Sequence, residues 1–362
     1  MTDTQPSTEI SPIESSAPAQ FRRNDAGAAT QLPTGTLPVL APSLGARIRR
    51  GLGRFAVPLL LVALVALFSI LRPTTFATAA NFQTILVESS VLAMLALAVM
   101  LPLIVGEFDL SLATTLGLSA MLAAGLPHRL GFSVPLTLLC VLAAGAVIGL
   151  LHALLIVKLG LPSFVVTLGT NSLLAGMILL YSGGTVLYEG IPEELSVLGT
   201  GKLFGIGYPV IMMLVIAVVL WFFLFKRPVG RIVYATGANE TAARLAGINT
   251  ARVKTIVLVI SPMLASFAGL ILTARIGSAN PTSYATYFLP AFAAAFLSLA
   301  VFHIGKYNPW GVVFSVYLLA VGVAGLAQIG VPSWVDPVFN GAALILAILL
   351  SRYAGGAKVK QP

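Results

Sequence analysis

The chain has 362 residues, of which 58% are hydrophobic and only 9% charged. An average soluble domain carries about 25% charged residues, so most of this chain must face something other than water. Its net charge of +9 does not point to nucleic acid, because the Lys and Arg residues collect at the ends of apolar runs, where the positive-inside rule places them.

Residues 1–46 are rich in Ser, Thr, Pro and Ala and interspersed with Asp3, Glu9, Glu14 and Asp25. Nothing there could bury a core, so a disordered cytoplasmic tail is expected. No apolar stretch follows a basic start, as a signal peptide would require. Arg47, Arg49, Arg50 and Arg54 then precede the first apolar run and hold the N-terminus inside.

Runs of membrane-spanning length follow at 55–71, 84–105, 110–126, 133–157, 162–182, 208–225, 254–275, 285–303, 309–329 and 334–351. The expectation is an all-α polytopic bundle of about ten transmembrane helices over residues 47–353, with 354–362 as a cytoplasmic tail. With the N-terminus inside, the outer loops hold only Arg72, Arg129, Lys202 and Arg275, leaving 17 of the 21 Lys and Arg inside. One helix more or fewer would turn the most basic loop outward. Pro58, Pro102, Pro135, Pro209, Pro262, Pro290 and Pro309 lie in or at the starts of these runs. A proline in mid-helix is tolerated where the backbone faces protein or a water-lined cavity. Gly145 and Gly149 form a small-xxx-small pair suited to close helix packing. Cys140 is the sole cysteine, so a disulfide framework is excluded. The outer loop from Ser182 to Tyr208 sets Glu189, Glu193 and Glu194 against Lys202.

Ionisable groups at membrane depth are costly and usually functional, which singles out Glu107 and Asp109. Gly106 lets the backbone break after Pro102, and Asp109 is placed to cap a helix beginning near Leu110, with Ser111, Thr114 and Thr115 following. A structural cap between two helices and a polar hinge lining an inner gate are both consistent with this. Thr167 and Thr170 share a helix face with Leu174, and Asn171 lies beside them. A neutral polar stripe of this kind suits an uncharged polyhydroxylated solute, and equally knits helices together. His128, His152 and His303 have no metal-ligand spacing, and His152 reads as a hydrogen-bonded packing residue. No phosphate-binding glycine loop is present, since Gly201-Lys202 lacks the preceding glycine and the following hydroxyl. Any ATP hydrolysis must then occur in another subunit, and no cofactor is expected in this chain.

The polar island 226–254 interrupts two apolar runs. Asn239 is a good N-cap, Glu240 suits the positive end of a helix dipole, and Gly247 is a natural stop. About two turns of helix lie between them, too few to be stable alone. Ala242, Ala243 and Ala246 offer a low-relief surface for another protein. A solvated loop with one capped turn is the plainer alternative.

Three motifs carry a resemblance. Gly237-Ala-Asn239-Glu240-x-Ala242-Ala243-x-x-x-Gly247-Ile248 resembles the cytoplasmic loop of permease subunits in ribose/xylose/arabinose-type ABC importers. Gly106-Glu-Phe-Asp109-Leu110-Ser111 resembles that family's glycine-x-x-Asp-Leu-Ser turn. Leu161-Pro162-Ser-Phe164-Val-Val-Thr167-Leu168-Gly169-Thr170 is similar to its Leu-Pro-x-Phe segment. The resemblance implies a type II ABC importer-like permease in the bacterial cytoplasmic membrane, importing a small neutral solute such as a monosaccharide. It further implies a second permease subunit, a cytoplasmic ABC ATPase that binds the ATP, and a periplasmic sugar-binding protein on the outer face. The loop residues Gly237, Asn239, Glu240, Ala242, Ala243, Arg244, Gly247 and Ile248 would then form a coupling helix seated on the ATPase. Glu107, Asp109, Ser111, Thr167, Thr170 and Asn171 would line the gate or path. One stretch departs from the family: where many relatives have a Gly-Gly-Thr-Ser turn, Leu299–Gly311 keeps Gly305 and Gly311 but not the hydroxyls. Substrate identity therefore stays open among a sugar, a sugar-like signal and a branched amino acid. An ion-coupled transporter working alone is the rival class, although the acids here sit at helix ends rather than at the midplane.

Overall fold

The computed structural model describes residues 55–354. The expected N-terminal tail, its arginine cluster and the end of the C-terminal tail lie outside the described residues. Each of the ten apolar runs holds a helix: α1 Ala56–Leu71, α2 Ala79–Ile104, α3 Leu112–Leu130, α4 Val134–His152 and α5 Ser163–Ser182 in the first half. The loop from Ser182 to Tyr208 holds a short helix, α6 Glu193–Thr200, and a two-stranded hairpin of β1 Lys202–Leu203 and β2 Ile206–Gly207. Glu193 and Glu194 occupy the first turn of α6, where the helix dipole favours carboxylates, and both remain exposed. Next comes α7, Tyr208–Trp221.

The island is also more ordered than expected. Ahead of the two-turn helix α9 Glu240–Leu245 stands an eleven-residue helix, α8 Pro228–Ala238. Pro228 sits in its first turn, where the missing N–H costs nothing. Three further long helices follow, α10 Thr250–Ile276, α11 Ala285–Leu297 and α12 Pro309–Ile329, and then α13 Val335–Ala354. Among the described residues, six helices are long and apolar enough to cross a membrane.

Helices α2, α3, α4 and α10 make the centre. From Ser89 to Ile104, every α2 residue except Leu92 is buried. In lipid there is no hydrophobic drive to bring helices together, so close contact depends on small residues and on hydrogen bonds between helices. Both are present. Gly149 of α4 abuts the backbone of Leu258 and Val259 on α10, and Gly145 abuts Pro262 and Ser266. The Ser261 hydroxyl donates to the Ala98 carbonyl on α2 at 2.8 Å, and Thr273 donates to Ala120 on α3 at 2.9 Å. Exposed Val165, Leu173 and Leu180 on α5 belong to a face that lipid can cover at no cost.

Two ion pairs mark the ends of the antiparallel α2–α10 pair. Arg275 lies 3.6 Å from Glu88, and Lys254 lies 2.7 Å from Glu107. Lys254 and Arg275 stand 21 residues apart within α10, a rise of roughly 32 Å at 1.5 Å per residue. That is close to the ~30 Å of a hydrocarbon core. The charges therefore stand at the two ends of the pair, about one hydrocarbon thickness apart.

Candidate functional site

The candidate residues gather at the end of the bundle where α2 stops. Pro102 leaves α2 without one backbone donor, and Gly106 takes φ +82°, a left-handed conformation that suits glycine. The Glu107 N–H turns back to the Pro102 carbonyl at 3.0 Å. The chain then runs irregularly until α3 begins at Leu112.

Asp109 does not cap a helix at Leu110, because α3 starts two residues later. Its Oδ1 instead accepts from the Ser111 N–H at 3.0 Å and the Ser111 hydroxyl at 2.7 Å, fixing the turn that leads into α3. Its Oδ2 faces Nδ1 of His152 at the end of α4, 3.3 Å away, near but not aligned as a full hydrogen bond. Both side chains are fully buried. His152 is thus the counterpart of Asp109, a role that spacing in sequence does not reveal.

The Thr167–Thr170 stripe is buried and turned inward. Thr167 donates to the Ser163 carbonyl at 2.8 Å and to Phe108 at 3.2 Å, while Thr170 donates to Val166 at 2.9 Å. Their hydroxyls are spent on backbone carbonyls, which favours the packing reading over a solute-facing one. Asn171 differs, since its Oδ1 accepts from Thr114 across the α3–α5 contact. Ser163 also accepts from the Phe108 N–H at 3.2 Å, so the head of α5 is stitched to the break after Gly106.

At α9 the expected caps are in place. Asn239 Oδ1 accepts from Ala242 N–H at 2.9 Å. At the other end the Ile248 N–H reaches the Ala243 carbonyl and the Gly247 N–H reaches that of Arg244, both at 3.0 Å, with Gly247 at φ +84°. This pairing is the Schellman closure. Ala243 corrects the expected docking surface: it is buried against the chain itself. The outward face consists of Thr241, Ala242, Arg244 and Leu245, the last 86% exposed. Gly237 lies against the Ile104 carbonyl and Val105 Cα, so the end of α8 rests directly on the end of α2.

Sequence reasoning missed Lys254, in the first turns of α10. Its ammonium reaches Glu107 at 2.7 Å and Glu240 at 2.6 Å. Glu240 also takes Arg244 at 2.8 Å and the Thr250 hydroxyl at 3.2 Å. Hydrogen bonding to Lys254, above all, holds the Glu240 carboxyl below its ordinary value of 4.5. The departing stretch 299–311 lies nearby. Asn308 holds its turn by donating to the Ser298, Val301 and Lys306 carbonyls and accepting from the Gly311 N–H. Tyr234 of α8 donates to the Tyr307 carbonyl at 2.6 Å, tying this turn to the island.

Residues 81–348 match the family model described as branched-chain amino acid transport system / permease component. The ribose import permease RbsC of Bacillus subtilis is 33% identical over 293 residues, covering 81% of this chain and 90% of its own length. The D-allose transport system permease AlsC of Escherichia coli is 30% identical, with 81% and 90% covered. The autoinducer 2 import system permease LsrD of Photorhabdus laumondii is 30% identical, with 82% and 90% covered. No solved structure gives a significant match. The chain is a multi-pass membrane protein and belongs to this family of transport permeases.

Proposed function

We propose that the chain is the membrane-spanning subunit of an ATP-driven importer for a small neutral solute, with a monosaccharide as the best-supported class. A partner ATPase would hydrolyse ATP on the cytoplasmic side, and a soluble binding protein would deliver the solute to the outer face. A second permease subunit would complete the pathway, and both termini would lie inside. The observation that carries this reading is α9. A two-turn helix is marginal in water, yet this one is capped at both ends and leaves Leu245 almost fully exposed. Such a helix gains its remaining stability by docking. Names of the relatives supply the substrate class: ribose, D-allose and autoinducer 2 are what those proteins are said to import. The family description, which names branched-chain amino acids, keeps a non-sugar solute as a second reading.

The test is reconstitution. Permease purified with its partner ATPase should take up labelled D-ribose, D-allose or another pentose or hexose into proteoliposomes only with ATP and a loaded binding protein. Uptake by the permease alone, abolished by collapsing an ion gradient, would support the ion-coupled rival. Selective uptake of leucine or valine would favour the amino-acid reading.

A further inference from the structure

The Lys254 ammonium stands between carboxylates from two separate elements. Glu107 belongs to the irregular segment after Gly106, and Glu240 is the first residue of α9. An exposed ion pair contributes little and breaks readily. Here the Lys254 and Glu107 side chains are only 15% and 13% exposed, so the contact is largely shielded from water. Sharing one ammonium also fixes the two carboxylates relative to each other, since without it they would repel. Displacing Glu240 must then move Lys254, Glu107, or both.

The segment that holds Glu107 is a junction. It ends α2 through the Pro102 carbonyl and touches the head of α5 through Ser163 and Thr167. It touches the end of α4 through Asp109 and His152, and it opens α3 through Ser111. We infer that Lys254 is the positioning residue that carries displacement of α9 to the Gly106–Ser111 segment, where the ends of α2, α3, α4 and α5 meet. This rests on the reading of α9 as the ATPase-docking helix. A second, purely steric contact, Gly237 on Ile104, runs beside it and does not depend on charge.

The two routes separate in one experiment. In a Cys140→Ala background, Phe108→Cys places a thiol on the junction at a half-exposed position. Its rate of reaction with a maleimide is measured in the permease–ATPase complex, without nucleotide and with ATP plus vanadate. The wild-type Lys254 complex should show a change of at least about fivefold, the floor of ordinary coupling between sites. Lys254→Met should still assemble with the ATPase and hydrolyse ATP, but the nucleotide-dependent change should fall to less than about twofold. Lys254→Arg should retain it. Glu240→Gln, a more exposed change that leaves Lys254 and Glu107 paired, guards against misfolding of Lys254→Met and should also diminish the response. A full response in both Lys254→Met and Glu240→Gln would overturn the inference and assign transmission to the steric contact. No response in the Lys254 parent would also overturn it, because the junction would not be the element moved. Failure of the parent to retain the ATPase at all would instead sink the underlying reading of α9.

Discussion

Asp109 offers the sharpest test of how the break between α2 and α3 is held. Asp109→Ala strips the acceptor from the Ser111 N–H, which heads α3 inside a fully buried residue. An orphaned buried donor costs about 1–3 kcal/mol, and loss of a bond to a charged acceptor is of similar size. The Ser111 hydroxyl can rotate to another acceptor and adds less. His152 meanwhile loses the carboxylate that faces it. The orphaned donor and the bond to the charged acceptor are one and the same lost bond, so the predicted loss is about 1–3 kcal/mol, equivalent to a fall of roughly 2–12 °C in the melting midpoint. Asp109→Asn keeps an oxygen where Oδ1 stands and should recover at least half of that fall. The assay is the midpoint of the detergent-solubilised permease, followed by size exclusion, alongside uptake in the reconstituted importer. If Asn proves as unstable as Ala, the charge facing His152 dominates and the Ser111 turn is not the source. Normal stability in Asn with uptake abolished would instead place the carboxylate in the transport cycle.

The other predictions follow from single contacts. Gly149→Leu drives a side chain into the Leu258–Val259 backbone and should lose about 3 kcal/mol or more, whereas Gly169→Leu, which meets nothing within 4 Å, should express normally; abundance in membranes is the readout. Ala243→Pro removes the 3.0 Å bond to the Asn239 carbonyl and costs about 3 kcal/mol in a helix of two turns; the permease should insert normally yet fail to co-purify with its ATPase. Asn239→Ala should weaken the same assembly by a smaller amount, about 0.5–2 kcal/mol. Cysteines at exposed Glu194 and Thr241 should label from opposite sides of intact cells, and equal labelling would reject the proposed orientation. Glu240 has a depressed pKa, so its link to Lys254 is present above the ordinary 4.5 and is lost only as pH falls through the lower folded value; ATPase retention should therefore be flat between pH 6 and 8.

The apolar runs were legible because a bilayer demands about twenty apolar residues at a stretch. Their ends were less so, for local reasons. α2 starts at Ala79, ahead of the apolar run at 84–105, because Thr78 caps it by accepting from Asn81 N–H. α3 starts at Leu112 because Asp109 spends its oxygen on Ser111. α8 was missed because Pro228, Gly230 and Gly237 look like loop residues. In the folded chain Pro228 opens the helix, while Gly230 and Gly237 admit the Leu224 and Ile104 carbonyls. The caps of α9 could be read because they lie within nine residues of one another. Lys254 could not, since its partners are 14 and 147 positions away and only the packing of α10 against α2 brings them together.

That packing also explains why so short a helix need not act alone. Rigid elements transmit displacement when their contacts have few alternatives, and α9 has few. Its own Ala243 is buried against the chain, its caps consume the end groups, and Glu240 is held by Lys254, Arg244 and Thr250. Lys254 stands at the head of α10, a helix locked to α2 by Ser261 and to α3 by Thr273 well inside the bundle. The soft element is the other one. Between Gly106 and Ser111 no regular backbone ladder resists a change of φ and ψ, and the left-handed glycine removes the steric barrier at its start. A push at α9 should therefore bend the chain at Gly106 before it shears α10 from α2. The helix ends gathered at that segment would move, while the α2–α10 core would stay fixed.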